Sequence, residues 1–149
     1  MAKRPALACL ALASLAIAAG AAFAIEYRSV DPATVLYDAP SVKGKPLFVI
    51  KRFTPVELVV SLEGWTKVRD AEGGLAWIEK KHLSELRTVI VVSSQAQVRR
   101  EANDDAALSF EAEKGVALEL VEPVAAGWAK VKHRDGQSGF VRGNQVWGL

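Results

Sequence analysis

A pentapeptide occurs twice in this chain. Gly64-Trp65-Thr66-Lys67-Val68 returns 63 residues later as Gly127-Trp128-Ala129-Lys130-Val131. Self-similarity at a fixed period means that one small unit has been copied. The same spacing pairs Val35 with Val98, Ala39 with Ala102, Gly73 with Gly136, Trp77-Ile78 with Phe140-Val141, and Leu83 with Val146. One stretch slips: Val56-Glu57-Leu58 matches Leu118-Glu119-Leu120 at a spacing of 62, so one turn differs by a residue. A single matched pentapeptide could arise by chance, but so many further positions in step could not. The fold must be two of something small.

Each copy reads as short strands. Val56, Leu58 and Val60 alternate with Glu57 and Val59, and Val116, Leu118 and Leu120 repeat the pattern. Asp70-Ala71-Glu72-Gly73-Gly74 and Arg134-Asp135-Gly136-Gln137 have hairpin-turn composition, with glycine free to take positive φ. No window carries a helix-period stripe of three turns. Short strands between close-spaced turns predict an all-β fold, a barrel or a sandwich. A copy of about sixty residues buries only ~60% of its unfolded surface, so the two are expected to lean on each other.

With 50% hydrophobic and 24% charged residues, the chain has the composition of a folded protein. Lys3 and Arg4 account for the whole surplus of 19 Lys+Arg over 17 Asp+Glu. They open a segment that continues through an alanine-rich apolar run to Ala22-Phe23-Ala24, the form of a signal peptide with an A-x-A cleavage site. A membrane anchor is the competing reading, but the run is mostly alanine and ends in a cleavage motif instead of a charged stop. Residues 1–24 are therefore expected to be a leader, residues 25–86 the first domain, and residues 87–149 the second. The expected compartment is the periplasm, with no integral membrane segment after cleavage. Cys9 lies in the leader, so the mature chain has no thiol for a disulfide, a thiolate metal site or thiol catalysis. The neutral body lacks the basic footprint that nucleic acid requires.

The segments Val35-Leu36-Tyr37-Asp38-Ala39-Pro40, Gly64-Trp65, Val68-Arg69-Asp70, Trp77-Ile78 and Leu83 through Val91, in that order, resemble the bacterial Src-homology-3 domain. Two tandem copies would cover nearly all of the mature chain. Leu83 through Val91 and the closing Val146-Trp147-Gly148-Leu149 are similar to an exported proteobacterial subgroup in which two such domains are fused. The resemblance implies two SH3-like β-barrels and a role in cell-wall targeting. It also marks candidate groove positions: Tyr37, Trp65, Trp77 and His82 in the first copy, Trp128 and Phe140 in the second. Arg100 and Gln145 stand at two further groove positions of the second copy. The proline-rich-peptide groove of eukaryotic members needs rings that Ala39, Glu79 and His82 do not supply, so that ligand class is not expected.

Strand parity bears on the same residues. If Val68 faces the core, then Thr66 does too, and Trp65, Lys67 and Arg69 share the outer face. Trp77 opposes Ile78 in the same way, and His82 opposes Leu83. A tryptophan at a strand start can also pack beneath a long loop, and a lone histidine can simply be a surface residue. The loops add a contrast. Lys43, Lys45, Lys51 and Arg52 follow Asp38 in the first copy, where the second carries Glu101, Asp104, Asp105, Glu111 and Glu113 against Lys114. Lys43 and Lys45 are accordingly candidate contacts for an anionic ligand.

Catalytic motifs are lacking. His82 and His133 fall in separate copies, with no H-E-x-x-H, G-x-S-x-G or Gly-rich phosphate loop. No metal or cofactor is expected. The expected function is a non-catalytic exported binding module for a cell-wall (peptidoglycan) or envelope protein ligand. The alternative is a structural or interaction protein of the envelope, docking by its sheet edges. Oligomeric state is left open.

Overall fold

The computed structural model describes residues 24–149; the expected leader lies outside the described residues but for Ala24. The first copy forms β1 (Tyr27–Val30), β2 (Thr34–Tyr37), β3 (Pro46–Ile50), β4 (Pro55–Ser61), β5 (Trp65–Arg69), β6 (Leu75–Glu79) and β7 (Leu83–Ser84). The second forms β8 (Thr88–Val91), β9 (Gln95–Arg99), β10 (Leu108–Glu113), β11 (Ala117–Ala125), β12 (Trp128–Lys132), β13 (Ser138–Arg142) and β14 (Val146–Trp147). Each is a seven-stranded sheet, ordered β3-β2-β6-β5-β4-β1-β7 and β10-β9-β13-β12-β11-β8-β14. The two orders are the same order. Helical structure among the described residues is confined to two single 3-10 turns, Lys80–His82 and Gly143–Gln145, and no helix is long and apolar enough to cross a membrane.

Alternating side chains build two cores. Val30, Leu36, Ile50, Val56, Val68, Ala76 and Ile78 fill the first barrel. Val89, Val91, Val98, Leu118, Val131 and Val141 dominate the second. Fully burying each of these branched side chains contributes ~1.5–3 kcal/mol. The hairpin turns use their glycines as expected, with Gly73 at φ 87° and Gly136 at φ 96°. Asp70 accepts the Gly74 amide at 2.7 Å and the Glu72 amide at 3.1 Å, a turn-closing carboxylate.

Two expectations need correction. Alternation in β4 fails after a bulge between Leu58 and Val60, which turns Val59 and Val60 out to solvent. The slip to a spacing of 62 also starts earlier than the sequence match suggests. Tyr37 pairs with Trp77, and Arg99 pairs with Phe140, so Arg99 and not Arg100 occupies the tyrosine's place. Likewise Leu36, not Val35, is the buried equivalent of Val98.

The barrels pack on each other through specific contacts. Trp147 meets Tyr27 edge to face at 5.1 Å between centroids, and the Arg87 guanidinium lies 5.5 Å over the same tyrosine ring. Arg87 also donates to the Gly148 carbonyl at 2.9 Å, and the Thr88 hydroxyl donates to the Phe53 carbonyl at 2.8 Å. Gly148 sits at φ 109°, with room for no side chain: a Cβ there would stand 3.0 Å from Pro55 Cβ and from the Thr88 carbonyl oxygen. Burial beside Glu57 raises the Tyr27 hydroxyl above its ordinary pKa, so the ring enters the seam neutral.

Candidate functional site

The outer face of the first sheet gathers three of the expected aromatics. In β5, Thr66 and Val68 are buried, which turns Trp65, Lys67 and Arg69 outward. In β6, Ala76 and Ile78 are buried, and Leu75, Trp77 and Glu79 face out. Cross-strand pairing sets Lys67 opposite Trp77 and Trp65 opposite Glu79. Tyr37 joins from β2 and packs edge to face on Trp65, with centroids 5.7 Å apart and planes at 83°. Lys67 Nζ stands 5.8 Å from the Trp77 ring centre. All three rings are half-buried. The result is a ledge of ring faces and edges with one adjacent ammonium group, suited to stacking against flat or apolar ligand groups.

Of the other expected residues, His82 takes a different place. Its Nδ1 lies 2.7 Å from Thr34 Oγ1, at the opposite end of β2 from Tyr37. That bond ties the 3-10 turn to the strand, and no ring contact among the described residues joins His82 to the ledge. Lys43 and Lys45 lie in the loop between β2 and β3, whose backbone is self-bonded. The Lys45 amide donates to Asp38 Oδ1 at 2.8 Å, and the Lys43 amide donates to Ser41 Oγ at 3.1 Å. Both side chains are exposed, and neither enters an ion pair among the described residues. Beside them, Leu47, Phe48 and Val49 of the edge strand β3 are also exposed.

The second copy corrects the expectation for Trp128. This residue is buried, at 6% exposure, and offers no ligand face. The Arg142 guanidinium covers its ring at 4.3 Å. Arg142 is in turn gripped by Asp104, through Nε to Oδ1 at 3.2 Å and a close Nη2 contact to Oδ2. The Arg142 hydrogen bond holds the Asp104 carboxyl below the ordinary carboxylate range, so the pair stays charged at neutral pH. At the matching place the first copy has Glu79, which pairs with Lys81 at 2.7 Å and leaves Trp65 to Tyr37. One change of charge sign therefore closes one site and leaves the other open. Asp104 consequently serves an internal latch. Phe140 remains half-buried on the outer face, with Lys130 Nζ 5.8 Å from its centre. Arg99, in the tyrosine's place, donates to the Ala106 carbonyl at 2.7 Å and to Gln97 at 2.8 Å. The Gln145 side-chain oxygen accepts the Gln97 amide at 3.3 Å. Latch and seam both escaped the sequence reading; Arg142 opposite Trp128 in a hairpin was the available signal for the latch.

Two duplicated barrels of identical strand order, each with a tryptophan opening its fifth strand, define a tandem SH3-like protein. The family description of the bacterial SH3 domain matches residues 30–85 and again 92–148. The chain belongs to the bacterial SH3 domain family. No curated protein matches the sequence. Solved structures with some likeness include NlpC2 from Trichomonas vaginalis, 16% identical, covering 81% of this chain and 46% of that one at TM-score 0.37. NlpC1 from the same organism is 14% identical, covering 91% and 50% at TM-score 0.36. An NlpC/P60 family protein from Bacillus cereus is 16% identical, covering 82% and 56% at TM-score 0.38. The chain spans about half the length of these proteins.

Proposed function

We propose that this protein is a non-catalytic, exported binding module of the cell envelope, and that its first barrel recognises peptidoglycan. One observation carries the reading: Tyr37, Trp65 and Trp77 share a solvent-facing ledge beside Lys67 and the Lys43–Lys45 loop. Rings supply stacking area, and the cations attract the carboxylates of a wall peptide. The second barrel, with its tryptophan latched, acts as a support. Purified peptidoglycan should retain the wild-type protein in a sedimentation assay. Reversing Lys43 and Lys45 to glutamate should slow capture at low salt and matter little at 1 M, where the Debye length is ~3 Å. Binding insensitive to both the reversal and salt removes the anionic-ligand part of the proposal. No sedimentation at all removes the ligand.

Export is a separate expectation. Mass spectrometry of the protein recovered from the periplasm should find Ile25 at its N-terminus; an intact Met1 in the membrane fraction contradicts it.

A second reading, docking onto an envelope protein by strand addition, rests on β3, a sheet edge that exposes Leu47, Phe48 and Val49. It predicts that Val49→Lys abolishes capture while Trp65→Ala does not.

A further inference from the structure

Between the two barrels lies a cleft of about 470 Å³, counting its open mouth, that neither barrel could form alone. The first copy contributes Arg52 and Phe53, the connection contributes Leu86, and the second copy contributes Glu119, Lys132 and Arg134. None of the ledge aromatics lines it.

Its wall is built, not incidental. Phe53 holds φ at 67°, the left-handed region that a bulky residue rarely adopts. Bonds on both sides keep it there: its amide donates to the Val30 carbonyl at 2.7 Å, and its carbonyl accepts the Thr88 hydroxyl of the second copy at 2.8 Å. Strained backbone that its surroundings enforce is found most often at binding sites. The Arg52 guanidinium lies 4.5 Å over the Phe53 ring, which fixes ring and cation together.

The charges then select the ligand. Arg52 is balanced by Asp31 through two bonds, at 2.8 and 3.1 Å. Lys132 faces Glu119 across the β11–β12 ladder. Among the described residues neither Lys132 nor Arg134 enters an ion pair, and Asp135, the neighbour of Arg134, is taken by His133 at 3.0 Å and by Gln137 at 2.8 Å. With Arg52 held by Asp31, and Glu119 the one lining carboxylate set against Lys132 and Arg134, the cleft keeps a net charge of one positive beside the apolar side chains of Phe53 and Leu86.

We propose that this inter-barrel cleft binds a small monocarboxylate with an apolar flank, the carboxylate on Arg134 and the flank against Phe53 and Leu86. A dianion exceeds the available charge, and a neutral molecule leaves Arg134 unused. This site is independent of the ledge and of peptidoglycan binding.

The test is a titration of the 15N-labelled protein with N-acetyl-leucine, followed by amide shifts, beside its neutral analogue N-acetyl-leucinamide. Saturable shifts are expected at Leu86, Thr88 and residues 117–119, with the amide binding about fivefold more weakly. Arg134→Glu, on an exposed hairpin where the fold tolerates it, should remove the preference for the carboxylate. Equal affinity for the two probes, an unaltered preference in Arg134→Glu, or shifts absent from the cleft at millimolar probe each overturns the proposal.

Discussion

Trp128→Ala is expected to unfold the second barrel under conditions where Trp65→Ala leaves the protein folded. The two tryptophans open equivalent strands, yet Trp128 is enclosed beneath the Arg142–Asp104 latch while Trp65 lies half-open against Tyr37. Truncating an enclosed tryptophan costs ~3–5 kcal/mol, a fall of roughly 15 °C or more in Tm for a domain of this size. Removing Trp65 should cost about 1 kcal/mol of stability. Its effect belongs to binding, where loss of a central aromatic costs ~2 kcal/mol, or about thirtyfold in Kd for peptidoglycan fragments. Paired thermal melts and binding isotherms read both quantities. If Trp65→Ala melts as early as Trp128→Ala, then Trp65 is a core residue and the ledge is not a binding surface. Disabling the latch by Asp104→Asn should soften the second barrel without touching capture by the first.

Gly139→Ala should be nearly as damaging, although it adds a single methyl group. A Cβ at Gly139 would lie 2.4 Å from the Arg99 carbonyl oxygen and 2.8 Å from Val98 Cγ1, so β9 and β13 would have to separate. Backbone cannot swing aside as a side chain does, and overpacking of this kind costs about 3 kcal/mol. The equivalent residue of the first copy is Ala76, buried without strain. The reciprocal change Ala76→Gly should therefore cost only ~1 kcal/mol. Urea unfolding decides it: Gly139→Ala should lower the midpoint sharply at unchanged slope. A shift equivalent to less than 0.5 kcal/mol, about the scatter of neutral surface changes, would show that the two strands are not closely packed there.

Duplication, strand type and the inner face of each strand were legible in the residue order. A period-two pattern can be read locally, as Thr66-Val68 and Ala76-Ile78 illustrate, and a sheet must bury one face. The glycine turns and the outward direction of Trp65 and Trp77 follow from the same alternation. Other features depend on residues far apart in the chain. Parity places Trp128 outward, and it is so placed; its burial comes from Asp104 and Arg142, 38 positions apart and brought together by the β9–β10 loop. Position in the repeat places His82 in a groove, but its partner Thr34 lies 48 residues away. Trp147 matches Ser84 in the repeat, so the pattern gave no reason to seat it on Tyr27, across the seam. Alternation states which way a side chain leaves its own strand, because that is a property of backbone geometry. Whether solvent, a loop or the neighbouring barrel meets it there depends on long-range packing, which local periodicity does not encode.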